Sequence, residues 1–290
     1  MRDAVRASVE LPWGTVSYLE WPGEPGARTV LLLHGAGVDS AELSWGALGS
    51  ELAAAGHRVL APDHPGYGAS APGPTTQQGL VDYVGRFVDA LDLGAHVVAG
   101  LSLGGGLAIG HGLARPDAVR GAVLLGSYGL MPRLSDGPFS MVRQVCTWAL
   151  VRTGLLAVLS QAMVHSNAAL DATLAALIRD PAQRTPELLA QVRAAARAGH
   201  GLDAFARWQR SEVRWDRLAS DYRDRLPGFR PPALIVHGDR DSSVPIARAV
   251  AAQALIPGAR LLIVTGAGHW VQRDQPAAVL AAMREFMASV

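Results

Sequence analysis

Six runs of aliphatic residues, each soon followed by glycine, constrain the fold of this chain more than any other feature. They stand in RTVLLLHGAG, HRVLAPDHPGYG, HVVAGLSLGG, VRGAVLLGSYG, PALIVHGDRD and ARLLIVTGAGH. A continuous aliphatic run is typical of a strand that is buried on both faces, as the strands of a parallel sheet are. Two extended segments at residues 7–11 and 15–21, joined by the turn Pro12-Trp13-Gly14, predict a hairpin ahead of these runs.

Helical patterns separate the aliphatic runs from one another. They cover residues 43–55, 77–91, 103–114, 246–255 and 276–287. Because strands alternate with helices, we predict a mostly parallel, twisted sheet that is flanked by helices. The 290 residues, of which 49% are hydrophobic, suffice for one large α/β core and an accessory segment.

The alternation stops between Tyr128 and Arg230, where no convincing strand is present. Predicted helices at residues 139–161, 168–179, 186–198 and 202–210 fill this stretch. A segment of this length that follows a strand should fold as a helical layer over the core. We therefore predict two core segments, residues 1–127 and 231–290, and an inserted helical cap, residues 128–230.

One serine, Ser102, stands among glycines where a predicted strand passes into a predicted helix. The surrounding GLSLG, residues 100–104, has the G-x-S-x-G pattern, which in a strand-to-helix context is typical of a nucleophile elbow. Glycine is needed two residues before and two residues after the serine, because side chains there would collide with the sharp turn. The alternative is an ordinary turn in which the serine side chain caps the helix.

The partners of Ser102 decide between these two interpretations. A serine hydroxyl becomes a nucleophile when a histidine accepts its proton and a carboxylate orients that histidine. Asp239 and Asp241 follow the strand PALIVHG, and His269 and Trp270 follow the strand ARLLIVTGAG. Serine, aspartate and histidine therefore occur in the required chain order, each after a different strand. The alternative for His269 is a buried structural histidine.

The chain resembles the α/β-hydrolase superfamily in five stretches. They are HGAG at 34–37, DHPGYGAS at 63–70, GLSLGG, GDRDSSVP and GAGHW, and they cover essentially the whole predicted core. The resemblance implies the α/β-hydrolase fold and a catalytic triad in which Asp241 orients His269, while Asp239 supports the loop. It also implies an oxyanion hole made by the backbone N–H groups of Ala36 and Leu103.

A narrower, partial resemblance links the chain to hydrolases that cleave C–C bonds in ring-fission products of aromatic degradation. It rests on GHWVQ at 268–272, on HGAG, on the run RPDAVRGAVLLGSYGL and on TPELL at 185–189. The chain departs from that group at two places. Leu101 stands where the group has asparagine before the nucleophile, and Val192 stands where it has a cap arginine, with Arg193 one residue further.

We therefore predict a serine esterase-like hydrolase that cleaves an ester, lactone or thioester of a mainly apolar small molecule with a reactive carbonyl. One alternative is a C–C bond hydrolase that acts on a vinylogous 1,5-diketone. Another is a relative that binds a small molecule without turnover. Haloalkane dehalogenases and epoxide hydrolases of this fold use aspartate at the elbow, so Ser102 argues against both.

Four residues are predicted to contact the substrate: Gly35, Met131, Trp148 and Trp270. For Trp270 beside the triad, plain packing is an equal alternative. His34 is expected to hold the oxyanion loop in shape, and His64, His111, His165 and His200 are expected to be structural or surface residues.

Charge and composition exclude several classes of partner. A formal net charge of +1 gives no field that would attract nucleic acid or an anionic membrane.

One cysteine rules out an intrachain disulfide, and no histidines stand at metal-ligand spacing with an acid, so we expect neither a metal nor a cofactor. The N-terminus lacks the apolar region of a signal peptide, and no run is long enough for a membrane helix. We expect a cytoplasmic protein, and the sequence leaves open whether it forms a homodimer.

Overall fold

The computed structural model describes residues 3–24, 26–199 and 201–290. Met1, Arg2 and Pro25 of the first predicted core segment, and His200 of the predicted cap, lie outside the described residues. The expectation for His200 therefore stays a prediction.

One sheet of eight strands runs through the described chain. The strands are β1 (Val5–Leu11), β2 (Gly14–Trp21), β3 (Thr29–Leu33), β4 (Arg58–Pro62), β5 (His96–Leu101), β6 (Val119–Leu125), β7 (Ala233–Gly238) and β8 (Arg260–Val264). Their order is β1-β2-β4-β3-β5-β6-β7-β8. The pairs β1–β2 and β2–β4 are antiparallel, and the other pairs are parallel. The predicted hairpin and mostly parallel sheet are thus present.

Helices cover both faces of the sheet. They are α1 (Ala41–Ala54), α2 (Gln77–Ala90), α3 (Leu103–Ala114), α4 (Ser140–Thr153), α5 (Leu155–Val164), α6 (Asn167–Leu177), α7 (Pro186–Ala198), α8 (Leu202–Glu212), α9 (Ile246–Leu255), α10 (Val271–Asp274) and α11 (Pro276–Ala288). Along β3, Val30 and Leu32 belong to one apolar cluster, whereas Leu31 and Leu33 belong to the other. This alternation follows the two-residue period of a strand and explains why β3 is aliphatic throughout.

Local signals in the sequence set several helix starts. The hydroxyls of Ser40, Thr76 and Thr185 accept hydrogen bonds from backbone N–H groups in the first turns of α1, α2 and α7. Such caps satisfy N–H groups that have no partner inside the helix. Proline at the first position of α7 adds a preset backbone angle there.

In the described part of the chain between β6 and β7 there are five helices, α4 to α8, and two 3₁₀ turns, Pro181–Gln183 and Arg223–Gly228. The prediction of one helix over residues 139–161 is wrong, because α4 and α5 meet at an angle of 84°. Gly154 between them has a φ of 78°, a left-handed conformation that ends a helix and favours glycine.

No single helix in the described chain is both long and apolar enough to cross a bilayer. The bent pair α4 and α5 meets that test as a unit, on length and composition alone.

Candidate active site

Ser102 is the one residue between the end of β5 and the start of α3, and its backbone is strained. Its φ of 52° and ψ of −113° place it outside the ordinary regions for a residue with a side chain. The end of β6 and the residues after it hold Ser102 in this conformation, because its N–H donates to the Leu125 carbonyl at 2.9 Å and its carbonyl accepts from Tyr128 N–H at 2.9 Å. The Ser102 side chain does not cap α3. Helix capping therefore does not account for this serine.

The flanking glycines are required by backbone contacts. A Cβ atom on Gly100 would lie 2.1 Å from the carbonyl oxygen of Gly104, and one on Gly104 would lie 2.2 Å from the carbonyl oxygen of Leu33. Buried backbone atoms of α3 and β3 cannot move aside by the ångström or so that these clashes demand. The turn that presents Ser102 therefore depends on glycine at both positions.

Asp241 and His269, which follow β7 and β8, form a hydrogen-bonded pair. His269 Nδ1 lies 2.8 Å from Asp241 Oδ2, and Asp241 Oδ1 accepts from the N–H groups of Ser243 at 2.7 Å and Val244 at 2.9 Å. Burial opposes ionisation of Asp241, but the hydrogen bond from His269 and the other donors together hold the pKa of Asp241 below its ordinary value. An ionised Asp241 fixes the proton on His269 Nδ1 and leaves Nε2 free to act as a base.

Two other titratable side chains, Asp239 and His237, stand near the end of β7. Asp239 is exposed and accepts from Gly266 N–H at 2.7 Å, which is a loop contact. His237, which the sequence analysis did not single out, lies with Nε2 3.5 Å from Asp241 Oδ2 and 2.9 Å from the Val244 carbonyl. Burial lowers the pKa of His237.

Gly126, which directly follows β6, lies against the Asp241–His269 pair. A Cβ atom there would lie 3.1 Å from both Asp241 Oδ2 and His269 Nδ1, and the residue has a φ of 46°. The Asp241–His269 pair therefore occupies the space at this strand end and leaves no room there for a side chain.

His34 orients the loop that leads to Ala36. Its Nε2 accepts from His64 N–H at 2.9 Å, so Nδ1 carries the proton and donates to the Gly35 carbonyl at 2.8 Å. Burial lowers the pKa of His34 to about 3, which keeps the ring neutral. Because a trans peptide is planar, fixing the Gly35 carbonyl also fixes the Ala36 N–H in the opposite direction. Ala36 and Leu103 both line the cavity described below.

Asp39 anchors the same loop from the other side and was missed in the sequence. Its Oδ2 accepts from Gly35 N–H at 2.7 Å, and its carboxylate also accepts from Ser40 N–H and from the Ser44 hydroxyl. Burial raises the pKa of Asp39 to about 7, although these hydrogen bonds and Arg273 act in the opposite direction. Nothing in the neighbouring sequence indicates this contact, because Asp39 belongs to no motif that points to chemistry.

The raised pKa of Asp39 predicts how stability depends on pH. The folded chain holds the Asp39 proton more tightly than an unfolded chain, whose pKa has the ordinary value of 3.8. The contribution of this group is therefore fully present below about pH 4 and is lost as the pH rises towards 7. We expect the free energy of unfolding of the wild type, relative to Asp39→Asn, to fall by up to about 1.4 kcal/mol per pH unit in that window.

Urea unfolding of both proteins at several pH values measures this difference. A difference that stays constant, or that grows with pH, would mean that the donors around Asp39 keep it ionised in spite of its burial.

A cavity of about 390 Å³ connects these groups. Ser102, His269, Ala36, Leu103 and the predicted contact residues Gly35, Met131 and Trp270 line it. Apolar side chains of α5 to α8 supply much of the remaining lining, among them Met163, Leu170, Leu174, Val192, Leu202 and Trp208.

Two predicted cap features lie away from this cavity. Trp148, expected to contact substrate, is not among the described lining residues; it is half-buried and packs against the apolar core. Arg193 forms an ion pair with Asp171 at 2.7 Å, whereas Val192 faces the cavity. Within the described residues, no group of three or more histidine, cysteine or acidic side chains is placed to hold a metal.

Comparisons with known proteins place the chain among hydrolases. The model of the alpha/beta hydrolase family matches residues 30–282. A 2-hydroxy-6-oxo-2,4-heptadienoate hydrolase of Pseudomonas putida is 28% identical over 267 residues, covering 90% of this chain and 89% of the relative. The meta-cleavage product hydrolase CumD of Pseudomonas fluorescens IP01 superposes with a TM-score of 0.78 at 26% identity, covering 98% of this chain and 97% of that one. Carboxylesterase CesB of Bacillus subtilis shares the fold with a TM-score of 0.76 at 21% identity, covering 99% and 93%.

Proposed function

The chain belongs to the α/β-hydrolase family and is a hydrolase, and from that premise we propose that it cleaves an ester, lactone or thioester of a mainly apolar small molecule. The single observation that carries the proposal is the arrangement of two residues. Ser102, which is strained and does not cap its helix, lines the same largely apolar cavity as His269, whose ring is hydrogen-bonded to Asp241. Residues 128–230 serve as the cap over this cavity, and residues 1–127 and 231–290 form the core.

The mechanism has two stages. His269 Nε2 accepts the Ser102 proton as Ser102 Oγ bonds to the carbonyl carbon, and the N–H groups of Ala36 and Leu103 stabilise the negative oxygen. The bond to the leaving group then breaks, His269 gives the proton to that group, and an acyl-enzyme is left. A water molecule that gives its proton to His269 attacks the acyl carbon, and Ser102 is released with its proton restored.

A second candidate activity is cleavage of a C–C bond in a ring-fission product. It is favoured by the names of relatives at 28% and 26% identity, the heptadienoate hydrolase and the meta-cleavage product hydrolase. Position 192, where an arginine would reach a substrate carboxylate, is instead a valine that faces the cavity, and Arg193 is paired with Asp171. The ester reading therefore stays the first proposal.

Parallel assays separate the two activities. We expect p-nitrophenyl esters of increasing acyl length to be hydrolysed with a kcat/KM at least about 100-fold above that of a ring-fission dienone acid. The reason is that none of the described residues lining the cavity is an arginine that could pair with the carboxylate of the dienone acid. Faster cleavage of the dienone would replace the ester proposal by C–C hydrolysis. Tight retention of either compound without turnover would instead support a binding protein.

A further inference from the structure

The charge of the substrate cavity is unexpected beside a relative that is named for an acid, the heptadienoate hydrolase. Among the described residues that line it, none is an arginine and the single carboxylate is that of Glu212. Glu212 is the last residue of α8 and is only 3% exposed. A buried carboxylate is costly unless it is hydrogen-bonded, and the negative end of a helix dipole adds to that cost.

Glu212 is held in place through one of its two oxygens. Oε2 accepts from the Tyr128 hydroxyl at 2.8 Å and from Ser220 N–H at 3.0 Å. No described residue bonds to Oε1, and no described cation pairs with Glu212. A carboxylate that is fixed by two donors on one oxygen has its second oxygen available as an acceptor in the cavity.

Tyr128 connects this carboxylate to the nucleophile turn. Its backbone N–H donates to the Ser102 carbonyl at 2.9 Å, and its hydroxyl donates to Glu212. Burial raises the pKa of Tyr128 well above its ordinary value, and Glu212 raises it further, so the tyrosine remains a donor. Trp208, whose ring centre lies 4.8 Å from that of Tyr128, completes an aromatic wall beside Glu212.

We propose that Glu212 sets substrate choice, selecting molecules whose part beneath the cap carries a hydroxyl, N–H or ammonium donor and rejecting those that carry a carboxylate. The inference rests on the proposed ester hydrolysis at Ser102. A donor group would bond to Oε1, whereas a carboxylate would meet like charge in a cavity that offers no described cation to offset it.

A series of p-nitrophenyl esters with matched ends tests this assignment. Acyl chains of increasing length would end in methyl, hydroxyl, ammonium or carboxylate, and kcat/KM would be measured for each. At the length where the chain end reaches Glu212, we expect the carboxylate ester to be at least about 100-fold poorer than the ammonium ester.

The variant Glu212→Gln keeps the shape of the side chain and removes its charge. We expect it to lower the ammonium-to-carboxylate ratio by at least about tenfold. Glu187→Gln, which removes the same charge from an exposed position on α7, is the matched control and should leave the ratio unchanged.

Two results would overturn the proposal. One is equal kcat/KM for ammonium and carboxylate esters at every chain length in the wild type, which needs no variant and holds even if Glu212→Gln does not fold. The other is an unchanged ratio in a folded Glu212→Gln protein. Loss of the underlying function would look different, because no ester of any kind would then be hydrolysed.

Discussion

Replacing Ser102 by alanine should abolish ester turnover, with kcat reduced by at least about 10⁴-fold, and should remove labelling by a fluorophosphonate. The reason is that no other hydroxyl can occupy the strained position between β5 and α3. Alanine fits that position as well as serine does, so the fold should be unaffected and the loss should be one of chemistry. Rate assays and mass spectrometry of the labelled protein measure the two effects.

Ser127→Ala provides a matched control. The Ser127 hydroxyl is buried close to the elbow and has no hydrogen-bond partner in the described structure. Its removal costs no bond, and we expect labelling and turnover close to those of the wild type. Full labelling of the Ser102→Ala protein would place the nucleophile at another residue.

Replacing Asp241 by asparagine should lower kcat by about 10⁴-fold with a small change in KM. Asparagine can fill the site and still accept from the N–H groups of Ser243 and Val244. It lacks the charge that fixes the proton on His269 Nδ1 and that stabilises the ring when it becomes positive, so Nε2 is no longer a dependable base. Steady-state kinetics with the best p-nitrophenyl ester measures the loss.

Asp239→Asn distinguishes the two aspartates of the same loop. Asp239 is exposed and bonds to Gly266 N–H, so we expect a loss of less than about tenfold, through loop mobility alone. A loss in Asp239→Asn as large as that in Asp241→Asn would overturn the assignment of the acid. Thermal unfolding of both variants shows whether either loss comes from instability.

The sequence predicted the core elements closely because their signals are local. The predicted helices at residues 103–114 and 246–255 have the same bounds as α3 and α9, and the aliphatic run of RTVLLLHGAG forms β3. The break at Gly154 was missed because a single glycine inside an apolar run does not by itself reveal a left-handed backbone. The position of Trp148 was missed because a helical pattern does not say which neighbour covers each face.

Within the candidate site, the order of Ser102, Asp241 and His269 along the chain was sufficient to propose them together. Asp39 and His237 were not proposed, since neither belongs to a motif that indicates chemistry. Glu212 lies 84 residues from Tyr128 in the chain, and the bond between them becomes apparent only in the fold. None of these three contacts has a sequence signature.

Local sequence is sufficient to specify the alternation of strands and helices, the glycines that permit a serine elbow, and the presence of an acid and a base after later strands. These properties depend on neighbouring residues, whose spacing and backbone freedom are written in the chain. Packing between distant segments is needed to place one carboxylate and no described arginine in the cavity. It is also needed to bring His34 to the carbonyl and Asp39 to the N–H of Gly35. Such arrangements depend on which distant segments are packed together, and the charge in a closed cavity is set by that packing rather than by the overall composition.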